Sequence, residues 1–321
     1  LFAGEHRKSG VRAVMDQILG RKESKAWRRL FEIEVVCEEW DILRSDACDL
    51  SVPQVQDELD KRVAAGEFDF VLMSPPCNSW SRVLFANGWG PCAIRTAEWP
   101  WGFPWLSDKN SKRAEAGNCL VEFCLRLLNT ALEASAAGKK VRCFWEHPED
   151  LGALRHKGEV LRPASVWQLE DLRSQVSPET GRKTRVFRQC SFDAPYEKPT
   201  RVVTDIEAIA AWGYDGWPVF DSAGWYVGPL PKSCGHSDHV SLAKASAGEA
   251  FRTTGTSAYP PLMDLAIAEA IIDSFVGDLM SQTGAEVQGD GVATEMRPVG
   301  GVVTPHPAAG EGSSWPAKAA R

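Results

Sequence analysis

Val71-Leu72-Met73-Ser74-Pro75-Pro76-Cys77-Asn78-Ser79-Trp80-Ser81 is the stretch that decides how this chain reads. The apolar run that stops at two prolines predicts a buried strand over Phe68 to Ser74. Two prolines fix the backbone and remove two donors, so Cys77 is held rigidly at a strand mouth, ahead of a polar loop. A thiol in that setting suits an active site. The alternative, an inert buried cysteine, fits poorly between Pro-Pro and Asn-Ser-Trp-Ser.

Working outward, further strands are predicted at Phe31 to Cys37, Lys140 to Trp145, Thr184 to Phe192 and Arg201 to Thr204. Apolar residues at three- and four-residue intervals predict helices over Val11 to Leu19, Val55 to Ala65, Ala114 to Ala134 and Leu262 to Leu279. Such alternation is the pattern of an α/β fold, a parallel sheet with crossover helices, extending over residues 1–204. From 205 to 257 Trp, Gly, Pro and Ser replace the periodic pattern, and a small loop-rich lobe is expected. A helix over 258–281 is expected to return to the core. The segment 282–321 has too few large apolar residues to offset its ordering entropy and is expected to be disordered. Leu1-Phe2-Ala3-Gly4 reads as the end of a strand whose beginning is missing, so the chain is expected to be a fragment.

The composition, 44% hydrophobic and 25% charged over 321 residues, is that of a globular chain. Its formal net charge of −7 excludes a generic nucleic-acid coater, so contact with DNA or RNA has to come from local basic patches. Nine cysteines without a CxxC pair fit a reducing compartment. No apolar run reaches membrane-spanning length and no signal peptide heads the chain; an intracellular protein is expected, nuclear in a eukaryote.

In an open α/β sheet, ligands bind beyond the carboxyl ends of the strands. The small residues of Phe2-Ala3-Gly4 would let backbone N–H groups approach a cofactor; an ordinary strand-to-helix turn is the plain alternative. A carboxylate at Glu38 or Glu39 can accept ribose hydroxyls, and the Trp40 indole can stack on adenine, although the same residues also suit a solvated helix start. Asp49 either accepts an adenine amino proton or caps the helix after Val52-Pro53. Glu146, delivered by an apolar strand and flanked by Trp145 and a proline turn, suits a general acid; a surface carboxylate is the alternative. Arg182, Lys183, Arg185 and Arg188 form the densest basic stretch, and with Ser79, Ser81 and Arg82 after the cysteine they are assigned to nucleic-acid contact, against the alternative of a solvated basic face. Cys234-Gly235-His236-Ser237-Asp238-His239 invites a zinc reading. Three ligands within six residues are cramped, however, and a fourth is not evident beyond a conceivable Cys190, so no metal is assigned.

Taken in order, these pieces resemble the DNA cytosine-5 methyltransferase family. Phe2-Ala3-Gly4 is similar to its first cofactor motif, Glu39-Trp40-Asp41 to its ribose and adenine site, and Asp49-Leu50 to the next cofactor contact. Pro75-Pro76-Cys77 matches the catalytic Pro-Pro-Cys, and Glu146 stands where the family's Glu-Asn-Val supplies its acid. The stretch Phe192 to Arg201 resembles the turn that brings basic side chains, here Lys198 and Arg201, around the flipped base. Gly255 to Leu262 resembles the last motif, which packs against the cofactor through Ala258. His6 in place of a glycine, His147-Pro148 in place of Asn-Val, and the shifted register of Lys198 and Arg201 depart from the pattern.

The resemblance implies a Rossmann-like S-adenosylmethionine-dependent methyltransferase sheet with a small recognition lobe. It also implies a monomer that moves a methyl group from S-adenosylmethionine to cytosine C5 in DNA. Cys77 would add to C6 while Glu146 supports N3, with Pro75 among the cofactor contacts. RNA as the substrate, or an inactive nucleic-acid-binding domain of a mobile element, are the alternatives.

Overall fold

The computed structural model describes residues 1–20, 33–85, 91–242 and 256–283. In chain order the elements are α1 (Val11–Gly20), α2 (Pro53–Ala65), β1 (Phe70–Met73), α3 (Asp108–Ala136), β2 (Arg142–Pro148), β3 (Leu154–His156), β4 (Glu159–Leu161), α4 (Glu170–Arg173), β5 (Lys183–Arg188), β6 (Pro199–Thr204), α5 (Glu207–Ala210), β7 (Tyr214–Asp215), β8 (Val219–Phe220), β9 (Tyr226–Gly228) and α6 (Pro261–Thr283). Local chemistry sets several of these bounds. Pro53, with its fixed φ, opens α2, and Gly66 closes it in the left-handed conformation at φ 73°, where a side chain would be strained.

Among the described residues the main sheet has five strands in the order β1-β2-β6-β5-β7. Of these, only β1 and β2 run parallel, in register from Phe70↔Arg142 to Met73↔Trp145. The remaining pairs, β2 with β6, β5 with β6 and β5 with β7, are antiparallel. The fold is therefore mixed α/β, and the expected parallel sheet is corrected to a mixed one. The physical reason lies in the connections: α3 supplies the long crossover that a parallel pair needs, whereas only ten residues separate β5 from β6, enough for a reversal but not for a helical crossover.

Strand alternation sends side chains to two helical layers. Val71, Met73, Cys143, Trp145 and Val203 face α2 and α3, where they pack with Leu59, Val63, Val121 and Leu128. Phe144, Val202 and Phe187 face the opposite side, against Val14 and Ile18 of α1 and Ile267 and Ile271 of α6. With both faces covered, the strands read as nearly continuous apolar runs. Arg142 forms a two-pronged ion pair with Asp278, at 2.6 and 2.9 Å, which ties the end of α6 to the start of β2.

The expected strand at Phe31 to Cys37 is not formed: residues 33–37 carry no strand pairing, and residues 31–32 lie outside the described residues. Residues 205–242 of the expected lobe are joined to the core, since β7 is the fifth strand of the main sheet and the Trp217 ring sits 6.3 Å from that of Trp167. Of the expected tail, residues 284–321 lie outside the described residues, and α6 runs to Thr283. No helix among the described residues is long and apolar enough to cross a membrane.

Two arginines expected at functional surfaces turn out to be internal braces. Arg201 of β6 is fully buried. Its guanidinium grips both oxygens of buried Glu149, at 2.6 and 2.8 Å, and donates to Thr184 Oγ1 and Gly216 O. Arg182 is equally buried and donates to Gln175 Oε1 and Leu128 O. Their five donors each match several fixed acceptors, so neither is available to a flipped base or a phosphate. Removing one partner of a buried pair strands the other charge. Arg201→Met should therefore destabilise the fold by about 3–5 kcal/mol, measured as a lowered urea midpoint; an unchanged midpoint would contradict the bracing role.

Candidate active site

The sheet topology concentrates chemistry at one edge. Because β1 and β2 are parallel and Met73 lies opposite Trp145, Ser74 and Glu146 leave the pair side by side, and Cys77 follows after two prolines. Since β6 runs against β2, the residue that precedes it, Lys198, arrives at the same edge. Tyr259, just before α6, closes the group.

Tyr259 Oη hydrogen-bonds Ser74 Oγ and donates to Glu146 Oε2 at 3.4 Å. Lys198 holds its backbone at a positive φ of 28° and donates from Nζ to Thr256 O at 2.7 Å. The backbone of Tyr259 is itself anchored, its carbonyl accepting from Arg7 Nη1 at 3.1 Å, while Arg7 pairs with the buried Asp264. Glu146 is buried, and its Oε1, itself buried, has no hydrogen-bond partner among the described residues, an acceptor left unsatisfied within the protein.

Burial dominates the ionisation of this group. It raises the Glu146 carboxyl above its ordinary value, opposed by the Lys198 charge and by the hydroxyls of Tyr259 and Ser74. Burial also raises the Cys77 thiol, with Lys198 pulling it down and Glu146 pushing it up. His147, beside them in the sequence, is pushed by burial down to about 3 and stays neutral. The arrangement is a carboxyl whose affinity for its proton burial raises, a thiol shifted the same way, and a cation whose field favours the ionised form of both.

The loop after Cys77 is clamped from beneath. Trp80 N donates to Cys77 O at 3.0 Å, and the Trp80 ring lies 4.1 Å from the Arg95 guanidinium carbon. Arg95 also donates to Ser79 Oγ, Asn118 Oδ1, Pro100 O and Ala114 O. Ser79 is buried, and a Cβ built on Gly117 of α3 would sit 2.4 Å from its Oγ, so only glycine allows this approach. The expectation that Ser79 contacts nucleic acid is thereby corrected: its hydroxyl is spent internally. Ser81 Oγ accepts from Val83 N at 3.3 Å, and Arg82 is half-buried. Sequence reading missed Arg95 and Gly117, which stand in segments with no motif of their own. It also missed the exposed rings of Trp99, Trp101 and Trp105, although their density was visible; Trp101 packs edge-on against Trp80 at 5.7 Å.

On the other side of β1, Phe2 N donates to Trp40 O and Gly4 N to Asp41 Oδ2, both at 2.8 Å. The proposed cofactor segments Phe2-Ala3-Gly4 and Glu39-Trp40 do come together. Phe2 and Gly4 have φ of 60° and 67°, and a Cβ on Gly4 would meet nothing within 4 Å, so the turn has an open side. A shallow cleft of about 390 Å³ lies against His6, Arg12, Glu39, Trp40, Arg44 and their neighbours, a size compatible with a nucleoside. Glu39 Oε1 is held by Arg44 at 3.0 Å, but its Oε2 is buried without a hydrogen bond. Asp49 instead caps the turn into α2, with Oδ1 accepting from Ser51 N and Oγ. Pro75 is buried, and Ala258 is half-buried one residue before Tyr259.

Of the remaining basic residues, Arg188 is engaged by Pro231 O at 2.6 Å and by Glu197 at 3.4 Å, and Arg185 faces Asp215 at 3.9 Å. Lys183 alone of that stretch is fully exposed. Compared with protein-family models, curated proteins and solved structures, the chain finds no match in any of the three.

The geometry predicts how Cys77 reacts. Its raised pKa keeps the thiolate fraction below that of a free cysteine at any given pH, so iodoacetamide labelling of Cys77 should climb over a window displaced to higher pH. Lys198→Met removes the group that lowers that pKa and should shift the window further up, slowing labelling several-fold at pH 8. A faster reaction in this variant would show that Lys198 does not act on the thiol.

Proposed function

We propose that the chain is a cytosine-5 methyltransferase of the kind that adds a cysteine to the pyrimidine ring, with DNA as its substrate. What supports this above all is the placement of Cys77 and the buried Glu146, whose carboxyl pKa burial raises, at one edge of the parallel β1 and β2 pair with Lys198 beside them. The order of motifs along the chain agrees.

Cytosine C5 is a poor nucleophile until C6 carries an added group. Cys77, as thiolate, forms the bond to C6 while Lys198 steadies the sulfur's charge before attack. Glu146, in its protonated form, hydrogen-bonds N3 and makes C6 more electrophilic, and the C5=C6 electron pair that the adding sulfur displaces then resides on C5 as an enamine; the unsatisfied Oε1 supplies the contact point. Tyr259 and Ser74 hold the other carboxyl oxygen in place. Bound S-adenosylmethionine would supply an electrophilic methyl carbon, and the residues that fit it are the Phe2-Ala3-Gly4 turn, Trp40 and Glu39, whose Oε2 makes no hydrogen bond and only long ion pairs with His6 and Arg12. After methylation, loss of the C5 proton returns an electron pair that expels Cys77.

The base has to leave the duplex to reach this edge, at a cost of a few kcal/mol. With Arg182, Arg188 and Arg201 engaged internally and Lys183 at the far end of β5, opposite Thr204, the contacts that offset this cost are assigned to Arg185, Arg82 and the exposed rings of Trp99, Trp101 and Trp105.

A duplex containing 5-fluorocytosine tests the reading, because fluorine blocks the final elimination. With S-adenosylmethionine present, the wild-type chain should form a covalent adduct that Cys77→Ser abolishes. Glu146→Gln should slow methylation of ordinary cytosine by about 100- to 10,000-fold. Adduct formation on structured RNA alone would reassign the substrate, and none on either would remove the enzymatic reading.

A further inference from the structure

Away from Cys77, four metal-ligating side chains from two distant segments converge. Cys190 lies in the short turn of helix Gln189–Phe192 that follows β5, and Cys234, His236 and His239 lie in the segment after β9. One ligand atom from each falls within 4.8 Å of all the others. Cys234 Sγ is 3.7 Å from His239 Nε2, and the rings of His236 and His239 meet edge to face with centroids 5.7 Å apart. Tetrahedral zinc with bonds of about 2.0–2.3 Å requires ligand atoms about 3.3–3.8 Å apart. The cluster is thus within small side-chain rotations of a coordination sphere.

Two features explain how three ligands fit within six residues. Gly235 sits at φ 83°, a left-handed turn that lets Cys234 and His236 face a common point. The fourth ligand then comes from Cys190, 44 residues earlier in the chain, as the antiparallel return of β6 carries the chain back along β5. A second layer is in place as well. Glu197 Oε1 lies 3.6 Å from His239 Nδ1, and its Oε2 lies 3.4 Å from Arg188 Nε. With Nε2 on a metal, Nδ1–H would donate to this carboxylate, the usual device for fixing a ligating imidazole.

We propose that Cys190, Cys234, His236 and His239 form a structural zinc site that fastens the segment after β9 to the turn between β5 and β6. Four protein ligands leave no open coordination position, which makes the site structural rather than catalytic. The segment has need of such a fastening: across residues 226–242, Leu230 is the one buried hydrophobic side chain. A metal supplies the cohesion that so small a buried surface does not. The fastened turn carries Glu197 and, next to it, Lys198, so the zinc would also steady the cation beside Cys77.

Metal analysis of untagged chain, purified without chelator and dialysed after zinc addition, tests the site directly. One zinc per chain is expected, with a cobalt-substituted form showing tetrahedral visible bands and a thiolate-to-cobalt charge-transfer band. Cys234→Ser should abolish tight binding. Glu197→Gln should keep the stoichiometry but weaken affinity by about 10- to 100-fold in a chelator competition. His236→Ala alters an exposed ring and keeps the test valid should a cysteine variant fail to fold, with far-UV circular dichroism as the check; it too should lose tight binding. Wild-type chain without zinc, zinc unaffected by Cys234→Ser and His236→Ala, or a Cys190–Cys234 disulfide in the non-reduced peptide map would overturn the proposal.

Discussion

The parallel pairing of β1 with β2 is the constraint from which the candidate site follows. It sets Met73 beside Trp145, and every residue beyond the strand ends inherits that register. A slip by one residue would turn Glu146 away and press Trp145 or Met73, both fully buried now, into the opposite helical layer, where Phe144 already packs. The apolar layers on the two faces of the sheet therefore fix the position of a carboxyl and a thiol that contribute little to the core themselves. Lys198 depends on the same pairing at one remove, since β6 has to run against β2 for its first residues to reach this edge.

Around that edge the protein spends its charges in two ways. Arg95, Arg182 and Arg201 are enclosed with carbonyls, amides or a carboxylate and serve as internal struts. Arg95 in particular holds the loop beyond Cys77 against α3, where Gly117 makes room for Ser79. Lys198 is different: its ammonium donates to the Thr256 carbonyl and acts on Cys77 and Glu146 through space. Burial raises both acids toward their neutral forms, and the Lys198 charge opposes it at both. The thiol and the carboxyl consequently respond in the same direction to the loss of Lys198, which couples the two groups through one side chain.

The two clusters share a structural support. The turn between β5 and β6 bears Cys190 at its start and Lys198 at its end, and Val240 N donates to Pro195 O at 2.7 Å in its middle. Whatever orders the segment after β9 therefore also orders the approach of Lys198. This is a mechanical link between a loop-rich segment with little core and the most buried part of the sheet.

The sequence by itself determined the local elements and the strand-mouth cysteine. Period-3.6 patterns located α1, α2, α3 and α6, and the apolar runs located β1, β2 and β6, because those periods are written in consecutive residues. They could not reveal that Arg182 and Arg201 point inward, since a lysine- and arginine-rich stretch reads as surface until its buried acceptors, Leu128 O, Gln175 and Glu149, are brought to it. The apolar pattern is also silent on the direction of β5, β6 and β7, since both directions need the same pattern when both faces are covered; the ten-residue connection from β5 to β6 was the signal in the sequence that a parallel expectation passed over. Tertiary structure alone decided that Tyr259 would meet Glu146 across 113 residues and that Cys190 would join Cys234, His236 and His239. These are contacts between segments whose spacing in the chain carries no trace of their closeness in space.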